Sequence, residues 1–231
     1  MRAREPLNYA FMPRLQSHHL PASGLYAITD GPRPDLRAAV ERALEGGAAI
    51  VQYRDKSGDG ERRRAESADL LALCRRFGAP LIVNDDVELA ATIGADGVHL
   101  GQDDGGIDAA RTRLGPSAII GVSCYDSLDR ARQLAAAGAD YLAFGAFFPS
   151  PTKPLARSAH TGLLRDAKAL CLPLVAIGGI TPDNAQPLID AGADFVAAIS
   201  GVFASADPCA AARRYANLFT KVKNQSHAQQ S

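Results

Sequence analysis

The sequence predicts a single (β/α)8 TIM barrel, and three observations support that prediction. Short apolar runs rich in β-branched residues recur eight times along the 231-residue chain, and segments with helical spacing separate them. Most runs are almost continuously apolar, which is typical of parallel strands that are covered on both faces. The length is close to the roughly 250 residues of a typical barrel of this class. An open doubly wound sheet is the weaker alternative, because no early GxGxxG motif occurs.

Each predicted strand is followed by a segment that can form a helix. In chain order the strands are LYAIT (25–29), AIVQYR (49–54), PLIVN (80–84), GVHL (97–100), IIGVS (119–123), YLAFG (141–145), PLVAIG (173–178) and FVAAIS (195–200). Leu36, Val40 and Leu44 recur every four residues in the first intervening segment, as on one face of a helix. The tripeptide Gly-Ala-Asp recurs at 94–96, 138–140 and 192–194, where glycine can close a helix before the next strand.

The barrel is predicted to occupy residues 23–220 as one catalytic domain. Residues 1–22 and 221–231 are polar, and we expect a flexible N-terminal extension and a flexible C-terminal tail. Lys and Arg number 25, and Asp and Glu also number 25, so the total charge does not indicate a nucleic acid or an anionic membrane as partner. The oligomeric state is left open.

The four cysteines indicate a cytoplasmic protein with reduced thiols. They lie far apart in sequence, without the spacing of a zinc site or a redox pair, at Cys74, Cys124, Cys171 and Cys209. No apolar stretch approaches the ~18 residues that would suggest a membrane span. The first 22 residues also lack the continuous apolar region of a signal peptide.

Polar residues at the ends of predicted strands are the candidates for chemistry, because active sites in this fold lie at the C-terminal face. Strand two ends in VQYRDK, where Gln52, Arg54 and Lys56 alternate with two other residues. Alternate residues of an extended chain share a face, so an amide and two cations can point the same way. That combination suits a diphosphate, and a solvated strand end is the alternative.

Two acidic clusters follow the next two strands and suggest a Mg²⁺ site. Strand three ends in Asn84, Asp85 and Asp86, and strand four is followed by Gln102, Asp103 and Asp104. Mg²⁺ prefers oxygen ligands and usually takes one or two protein carboxylates beside substrate phosphates and water. Helix capping is the alternative at each cluster, and Asp86 is well placed to cap the helix that follows it.

The last two strands end in small residues that suit a phosphate monoester. Gly178 and Gly179 follow strand seven, and Ser200 with Gly201 follows strand eight. Glycine lets backbone N–H groups approach an anion, and phosphate sites recur at these two strand ends in barrels of this class. Tight turns required by packing are the alternative for either glycine taken alone.

Two further polar residues lie in the middle strands. His99 stands inside the apolar run GVHL, where a packed, hydrogen-bonded core histidine is a better interpretation than a catalytic one. Ser123 ends strand five without an evident His and Asp partner set, so we interpret it as a hydroxyl that orients a ligand.

These segments together resemble thiamine phosphate synthase. The matching segments occur in family order from about Leu25 to Phe203 and are LYAITD, VQYRDK, VNDDVELA, GADGVHLGQDD, IIGVS, SPTKP, VAIGGIT and ISGVF. The resemblance implies a transferase that joins 4-amino-2-methyl-5-hydroxymethylpyrimidine diphosphate to a thiazole phosphate or its carboxylate. The products would be thiamine phosphate and diphosphate, with CO₂ from the carboxylate form, and Mg²⁺ would be the cofactor.

The resemblance also implies roles for individual residues. Pyrimidine diphosphate would be held by Gln52, Arg54, Lys56 and Asn84. Mg²⁺ would be bound by Asp85 and Asp104, and Ser123 would lie beside the reacting pyrimidine. The thiazole partner would contact Ser150 and Thr152, its phosphate would contact Gly179, Ile199 and Ser200, and the diphosphate would meet Lys153. Of these, Ser123, Lys153 and Arg54 are the residues expected to act in catalysis.

Two positions depart from the family pattern. Tyr125 stands where members often carry a histidine, and Pro151 lies between Ser150 and Thr152 in the loop after strand six. Neither departure removes a charged group, but they bear on the fit of the pyrimidine pocket and on the mobility of the loop.

Two other functions are compatible with parts of the pattern. A thiazole tautomerase is similar around ISGVFASADPCAAARRYA, but it carries a histidine where Ala146 stands here and tends to lack the two aspartates of the metal site. A barrel that binds a thiazole phosphate without catalysis would keep the glycine loops and lose the metal carboxylates, which this chain retains.

Overall fold

Eight parallel strands form a closed barrel at the centre of the protein, which confirms the predicted (β/α)8 TIM barrel. The structure is a computed structural model and describes residues 20–149 and 159–228, with side chains described as far as residue 220. Each strand pairs with the next in sequence, and pairing of the first strand with the eighth closes the barrel.

The strands alternate with helices along the described chain. The strands are β1 (Gly24–Ile28), β2 (Ala48–Tyr53), β3 (Leu81–Asn84), β4 (Gly97–Leu100), β5 (Ile119–Tyr125), β6 (Tyr141–Phe144), β7 (Leu174–Ala176) and β8 (Phe195–Ala198). The helices are α1 (Leu36–Glu45), α2 (Gly60–Phe77), α3 (Val87–Ile93), α4 (Ile107–Leu114), α5 (Leu128–Ala137), α6 (Thr161–Ala167), α7 (Gln186–Asp190), α8 (Ser200–Phe203) and α9 (Pro208–Ala228).

Every predicted strand coincides with an observed one, and the differences lie at the ends. Strand β5 continues to Tyr125, whereas β7 stops at Ala176, before the predicted end at Gly178. The early stop has a physical reason, because Gly178 has a φ of 102° and turns the chain out of the strand.

Strand side chains are buried on both faces of the sheet, as the continuous apolar runs predicted. One set fills the barrel interior and includes Tyr26, Ile50, Ile82, Tyr141 and Phe195. The alternating set packs against the surrounding helices, as shown by Leu25, Val51, Leu81, Val98 and Leu142. Because strand side chains alternate in direction, this packing fixes which residues reach the barrel interior.

The repeated Gly-Ala-Asp motif stabilises the N-terminal face of the barrel through hydrogen bonds. In each copy the aspartate lies just before a strand and accepts a hydrogen bond from a backbone N–H in the first two residues of the preceding strand. The three pairs are Asp96 with Leu81 at 2.8 Å, Asp140 with Ile120 at 2.7 Å, and Asp194 with Leu174 at 2.8 Å. The motif therefore has a structural role, at the end of the barrel opposite the predicted site.

Replacement of Asp140 by alanine is expected to destabilise the fold without changing the C-terminal face. Asp140 also pairs with Arg111 at 2.6 Å, and both side chains are largely buried. The loss should be on the order of 2 kcal/mol, because hydrogen bonds to a charged group are removed and the donors stay buried. Urea unfolding can measure it against Asp129→Ala as control, since Asp129 is 84% exposed and its pair with Arg132 should contribute little. Equal stability of the two variants would contradict this role.

The chain ends bear on the predicted domain boundaries. Helix α9 continues to Ala228, past the predicted barrel boundary at residue 220. The flexibility of the N-terminal extension and of the C-terminal tail stays a prediction. Within the described part of the chain, no helix combines the length and the apolar character that a membrane span requires.

Candidate active site

The predicted site residues that the structure describes lie in the C-terminal ends of the strands or in the loops that follow. They are Gln52 in β2, Arg54 and Lys56 after it, Asn84 at the end of β3, Asp85 after it, Asp104 after β4, Ser123 in β5, Gly179 after β7, and Ile199 and Ser200 after β8. Ser150, Thr152 and Lys153, together with Pro151, lie outside the described residues.

A cavity of about 330 Å³ opens between the ends of β2 and β3. Its lining combines cationic, amide and carboxylate side chains: Asp55, Lys56, Ser57, Arg63, Asn84, Asp85 and Asp86. The volume is at the lower end of the range of small-molecule sites. Three of the predicted site residues therefore share one cavity.

Asp85 and Asp104 form a carboxylate pair, although they belong to loops after different strands. Their side chains are within hydrogen-bonding contact, and burial together with Asp104 raises the pKa of Asp85 above its ordinary value. Lys56 partly opposes that shift, with its Nζ 3.2 Å from Oδ2 of Asp85. The backbone N–H of Gly101 donates to Oδ2 of Asp104 at 2.7 Å and holds that carboxylate in place.

The backbone of Asp85 is held in an uncommon conformation. Its φ is 63°, in the left-handed region that residues other than glycine rarely occupy. Its N–H donates to the backbone carbonyl of His99 on β4 at 2.9 Å, which anchors the turn to the neighbouring strand. Such conformations persist where the surrounding structure enforces them, and they cluster at functional sites.

The carboxylate pair fits Mg²⁺. Two adjacent carboxylates supply hard oxygen ligands, and the raised pKa of Asp85 shows that the positive charge of Lys56 does not fully offset burial and the neighbouring Asp104. In the described residues no group of three or more His, Cys, Asp or Glu side chains could hold a metal ion. A two-carboxylate site suits Mg²⁺, which leaves its other positions to substrate phosphate and water.

Helix capping, the alternative reading of the acidic clusters, is correct for Asp86. Its carboxylate accepts a hydrogen bond from the backbone N–H of Leu89 at 2.8 Å and so caps α3. It also pairs with Arg63 at 2.9 Å. Asp86 is therefore engaged in structure, whereas the adjacent Asp85 faces Asp104.

The predicted alternation at the end of strand two is seen for Gln52, Tyr53 and Asp55. Tyr53 and Asp55 face the helix layer, where Asp55 pairs with Arg62 of α2 at 2.7 Å. Gln52 instead points into the barrel, and Lys56 reaches Asp85. The guanidinium of Arg54 has no hydrogen bond or ion pair with any side chain in the described part of the chain, so it is available to an anionic ligand.

A chain of hydrogen bonds crosses the barrel interior and joins two predicted site residues. Gln52 Nε2 lies 2.9 Å from the hydroxyl of Tyr26, which lies 2.8 Å from the hydroxyl of Tyr141. That hydroxyl lies 2.9 Å from Nδ1 of His99, and Nε2 of His99 lies 2.9 Å from Oγ of Ser123. Burial lowers the pKa of His99 to about 4. The structure thus confirms His99 as a hydrogen-bonded core histidine.

The sequence alone did not identify Tyr26 and Tyr141 as members of this series of hydrogen bonds. The available signal was a tyrosine in each of the apolar runs LYAIT and YLAFG. A buried tyrosine hydroxyl needs a hydrogen-bond partner, so tyrosine in a barrel strand indicates a polar group nearby. The identity of the partners depends on barrel closure.

Hydrogen bonds hold the loop after β7, which contains Gly179, in a compact form. Gly179 has a φ of 61°, and its carbonyl accepts a hydrogen bond from Asn184 Nδ2 at 3.0 Å. The Asn184 carbonyl oxygen accepts from the backbone N–H of Thr181 at 2.8 Å, and Tyr215 donates to the carbonyl of Ile180 at 2.9 Å. These hydrogen bonds hold the backbone of the glycine loop, residues 178–181, in place.

Replacement of Gly179 by alanine is expected to deform this loop. A Cβ atom there would lie 2.5 Å from the carbonyl oxygen of Pro149 and 2.7 Å from that of Phe148, at a φ that alanine rarely adopts. We expect a cost on the order of 1–3 kcal/mol and weaker binding of a thiazole phosphate. Thermal unfolding and calorimetry can test this. Gly60→Ala is the control, because a Cβ atom at Gly60 has no neighbour within 4 Å.

Of the two departures from the family pattern, Tyr125 lies in the described residues and Pro151 does not. Tyr125 is 39% exposed, and the guanidinium of Arg130 lies 5.7 Å from the centre of its ring. Arg130 also donates to the carbonyl of Ser123 at 2.8 Å, so this packing supports the end of β5. Ala146, which stands where the tautomerase carries a histidine, follows β6 and lies against Gly178, with no group that could transfer a proton.

A closed (β/α)8 barrel with a carboxylate pair, basic side chains and a glycine loop at one end defines a class of enzymes that act on phosphorylated small molecules. The chain belongs to the thiamine monophosphate synthase family, whose model matches residues 25–202.

Relatives with known names agree with this membership. The chain is 58% identical over 200 residues to the thiamine-phosphate synthase of Thiobacillus denitrificans, covering 85% of this chain and 94% of that protein. It is 57% identical over 193 residues to that of Halorhodospira halophila, covering 83% and 92%. The solved structure of thiamine phosphate pyrophosphorylase from Pyrococcus furiosus superposes with a TM-score of 0.79 at 35% identity, covering 89% of this chain and 98% of that one.

Proposed function

We propose that this protein is a thiamine phosphate synthase that couples an aminopyrimidine diphosphate to a thiazole phosphate. The observation that carries the proposal is the Asp85–Asp104 pair beside Lys56, at the barrel mouth of a chain from this family. Family membership supports the reaction, and the carboxylate pair supports a metal-assisted departure of diphosphate.

The two substrates would occupy opposite parts of the mouth. The cavity between β2 and β3 would take the diphosphate, because its lining includes the positive charge of Lys56 and the amide of Asn84. Arg54, which follows β2, would add a second positive charge. The glycine loop at Gly179, with Ser200 after β8, would take the thiazole phosphate through backbone N–H groups. The methylene carbon of the pyrimidine would then face the thiazole nitrogen.

The reaction requires one bond to break and another to form. The bond between the pyrimidine methylene carbon and the diphosphate oxygen breaks, and its electron pair leaves with the diphosphate. The aminopyrimidine ring stabilises the positive charge on the methylene carbon, and the lone pair of the thiazole nitrogen forms the new C–N bond. With the carboxylated thiazole, CO₂ departs after the C–N bond has formed, and the ring carbon that keeps the electron pair takes a proton from water to complete the product.

The protein's contribution is to stabilise the leaving group and to position the reactants. Arg54, Lys56 and Lys153 would bind the diphosphate as its charge develops. Mg²⁺, held by Asp85 and Asp104, would supply further positive charge to the diphosphate when bound. The barrel walls would exclude water from the cationic carbon and hold the thiazole in line with it.

No protein nucleophile is needed for this chemistry. The hydroxyl of Ser123 bonds to His99, but the described residues place no carboxylate on that imidazole, whose other nitrogen bonds to Tyr141. We therefore assign Ser123 to orientation of the pyrimidine ring. Tautomerase activity is disfavoured, because Ala146 cannot move a proton and the Asp85–Asp104 pair is retained. A carrier without catalysis would not need that pair.

The partners and the compartment follow from the same proposal. Both substrates would be phosphorylated small molecules. The equal numbers of basic and acidic residues, 25 of each, give no indication of a nucleic acid partner. All four cysteines are free thiols, which supports a reducing, cytoplasmic location.

A coupling assay tests the proposal directly. Purified protein, both substrates and Mg²⁺ should yield thiamine phosphate, detected by chromatography and mass spectrometry. Removal of Mg²⁺ with a chelator should suppress the product, and its return should restore it. Binding of the thiazole phosphate without coupling would favour the carrier, and an isomerised thiazole without coupling would favour the tautomerase.

A further inference from the structure

We propose that Tyr26, Tyr141 and His99 are positioning residues that present Ser123 as a hydrogen-bond donor and Gln52 as a hydrogen-bond acceptor to the bound ring. The proposal deepens the proposed function and rests on it for the identity of the ligand. Its basis is the direction of the hydrogen bonds across the barrel interior, which is a property of this chain without substrate.

The direction in which these hydrogen bonds are donated is fixed at Gln52, the first residue of the series. The side-chain nitrogen of Gln52 carries hydrogens and no lone pair for bonding, so the hydroxyl oxygen of Tyr26 must accept from it at 2.9 Å. Tyr26 has one hydrogen of its own, and Tyr141, 2.8 Å away, is the other group within reach among the described residues. Tyr26 therefore donates to Tyr141.

The same accounting of donors and acceptors gives the direction of the remaining hydrogen bonds, from Tyr141 to Ser123. Having accepted from Tyr26, Tyr141 uses its hydrogen to donate to Nδ1 of His99 at 2.9 Å. A ring nitrogen that accepts carries no proton, so the imidazole is neutral and its hydrogen is on Nε2. That hydrogen is donated to Oγ of Ser123 at 2.9 Å. The hydroxyl hydrogen of Ser123 then has no acceptor in residues 20–149 and 159–220 and is available to a ligand.

The reverse direction leaves a buried hydrogen without a partner. If Ser123 donated to His99 and the order ran backwards, Tyr26 would accept from both Gln52 and Tyr141. The hydroxyl hydrogen of Tyr26 would then lack an acceptor among the described residues, although Tyr26 is only 1% exposed. An unsatisfied buried donor costs about 1–3 kcal/mol, so the forward direction is favoured.

Gln52 and Ser123, at the two ends of this series of hydrogen bonds, determine which kind of ring they can bind. At one end the carbonyl oxygen of Gln52 is left as an acceptor, because its nitrogen bonds to Tyr26 and no described residue donates to the oxygen. At the other end the hydroxyl of Ser123 is a donor. The matching ligand is a planar heteroaromatic ring with an exocyclic amino group toward Gln52 and an unprotonated ring nitrogen toward Ser123.

The direction can be measured on the intact protein without substrate. In protein labelled with ¹⁵N at histidine, two-bond ¹H–¹⁵N correlation spectra distinguish a protonated ring nitrogen from an unprotonated one. We expect His99 to be neutral with its proton on Nε2. A proton on Nδ1, or a doubly protonated ring at neutral pH, would overturn the proposal. Because no substrate is used, this outcome is independent of whether the coupling reaction is found.

Variants of His99 test whether the effect passes through Ser123. In His99→Gln the amide nitrogen can occupy the place of Nε2 and still donate to Ser123, whereas the shorter side chain in His99→Asn cannot reach it. We expect kcat/KM for the pyrimidine substrate to fall about 10- to 100-fold in His99→Asn and clearly less in His99→Gln. KM for the thiazole substrate should change little in both.

A double-mutant cycle separates positioning from a general structural role. In a Ser123→Ala background, His99→Asn should cost less than about 2-fold, because the hydroxyl it orients is already absent. Equal losses with and without Ser123 would overturn the proposal, as would equal losses in His99→Asn and His99→Gln with both proteins folded. Thermal unfolding of each variant identifies any that fail to fold, and the histidine spectra of the parent protein then decide the question.

Discussion

Replacement of Asp85 by asparagine is expected to lower turnover by at least about 100-fold while leaving the metal-free protein as stable as the parent or more so. Turnover should fall because one of the two carboxylates proposed to hold Mg²⁺ is lost. Stability should not fall, because Asp85 is half-buried against Asp104 and its ionisation is opposed there. Asparagine also tolerates the φ of 63° at this position better than most residues.

The sign of the stability effect follows from the pKa. Burial and Asp104 raise the pKa of Asp85 in the folded protein above its value in the unfolded chain. The stability linked to this group is therefore fully present below the unfolded pKa and is lost as pH rises through the folded pKa. At neutral pH the ionised side chain opposes folding, and asparagine removes that cost. The lost ion pair with Lys56 should matter less, since Lys56 is 62% exposed.

The measurement pairs steady-state kinetics with thermal unfolding in a chelator. Asp103→Asn is a matched control, because Asp103 is exposed and adjacent to the Asp85–Asp104 pair without belonging to it. We expect near-parental turnover from that control. Full turnover in Asp85→Asn would contradict the metal assignment, and a clearly lower melting temperature in chelator would contradict the electrostatic account.

The second large effect is expected for Arg54. Replacement by glutamine should lower turnover by at least about 100-fold, because the guanidinium is proposed to neutralise the departing diphosphate. The described part of the chain offers this guanidinium no acidic partner, so folding stability should be little changed. Arg54→Lys should recover part of the activity, since a point charge replaces a planar group that can bind phosphate through two hydrogen bonds.

Kinetics of the purified variants can measure this effect, with Arg64→Gln as control. Arg64 is an exposed residue of α2 and lies outside the cavity between β2 and β3. We expect Lys153→Ala to act in the same direction as Arg54→Gln. Turnover within 3-fold of the parent in Arg54→Gln, under saturating substrates, would contradict its assigned role.

The fold could be predicted from the sequence because its signals are local. Continuous apolar runs mark strands that are covered on both faces, and the Gly-Ala-Asp motif marks the approach to three of the eight strands. The location of the candidate site at the strand ends followed from the predicted fold, since all eight parallel strands end on the same face. That was sufficient to find Gln52, Asn84 and Ser123 as residues of one region.

The remainder of the site depends on contacts between distant segments. Nothing local to Asp85 shows that it faces Asp104 while its neighbour Asp86 caps α3. The bond between Tyr26 and Tyr141 joins residues 115 positions apart and exists because the barrel closes. Such pairs depend on strand register and barrel closure, which a single sequence does not encode in any local pattern.

The most direct test of the central claim is the stoichiometry of products with both substrates present. We predict that thiamine phosphate and diphosphate appear in equal amounts, with Mg²⁺ required for both. The amounts can be followed together by ³¹P NMR and mass spectrometry, in parallel with the Asp85→Asn protein. Release of diphosphate without thiamine phosphate, or equal product formation in chelator, would contradict the claim that this barrel mouth couples the two substrates with metal assistance.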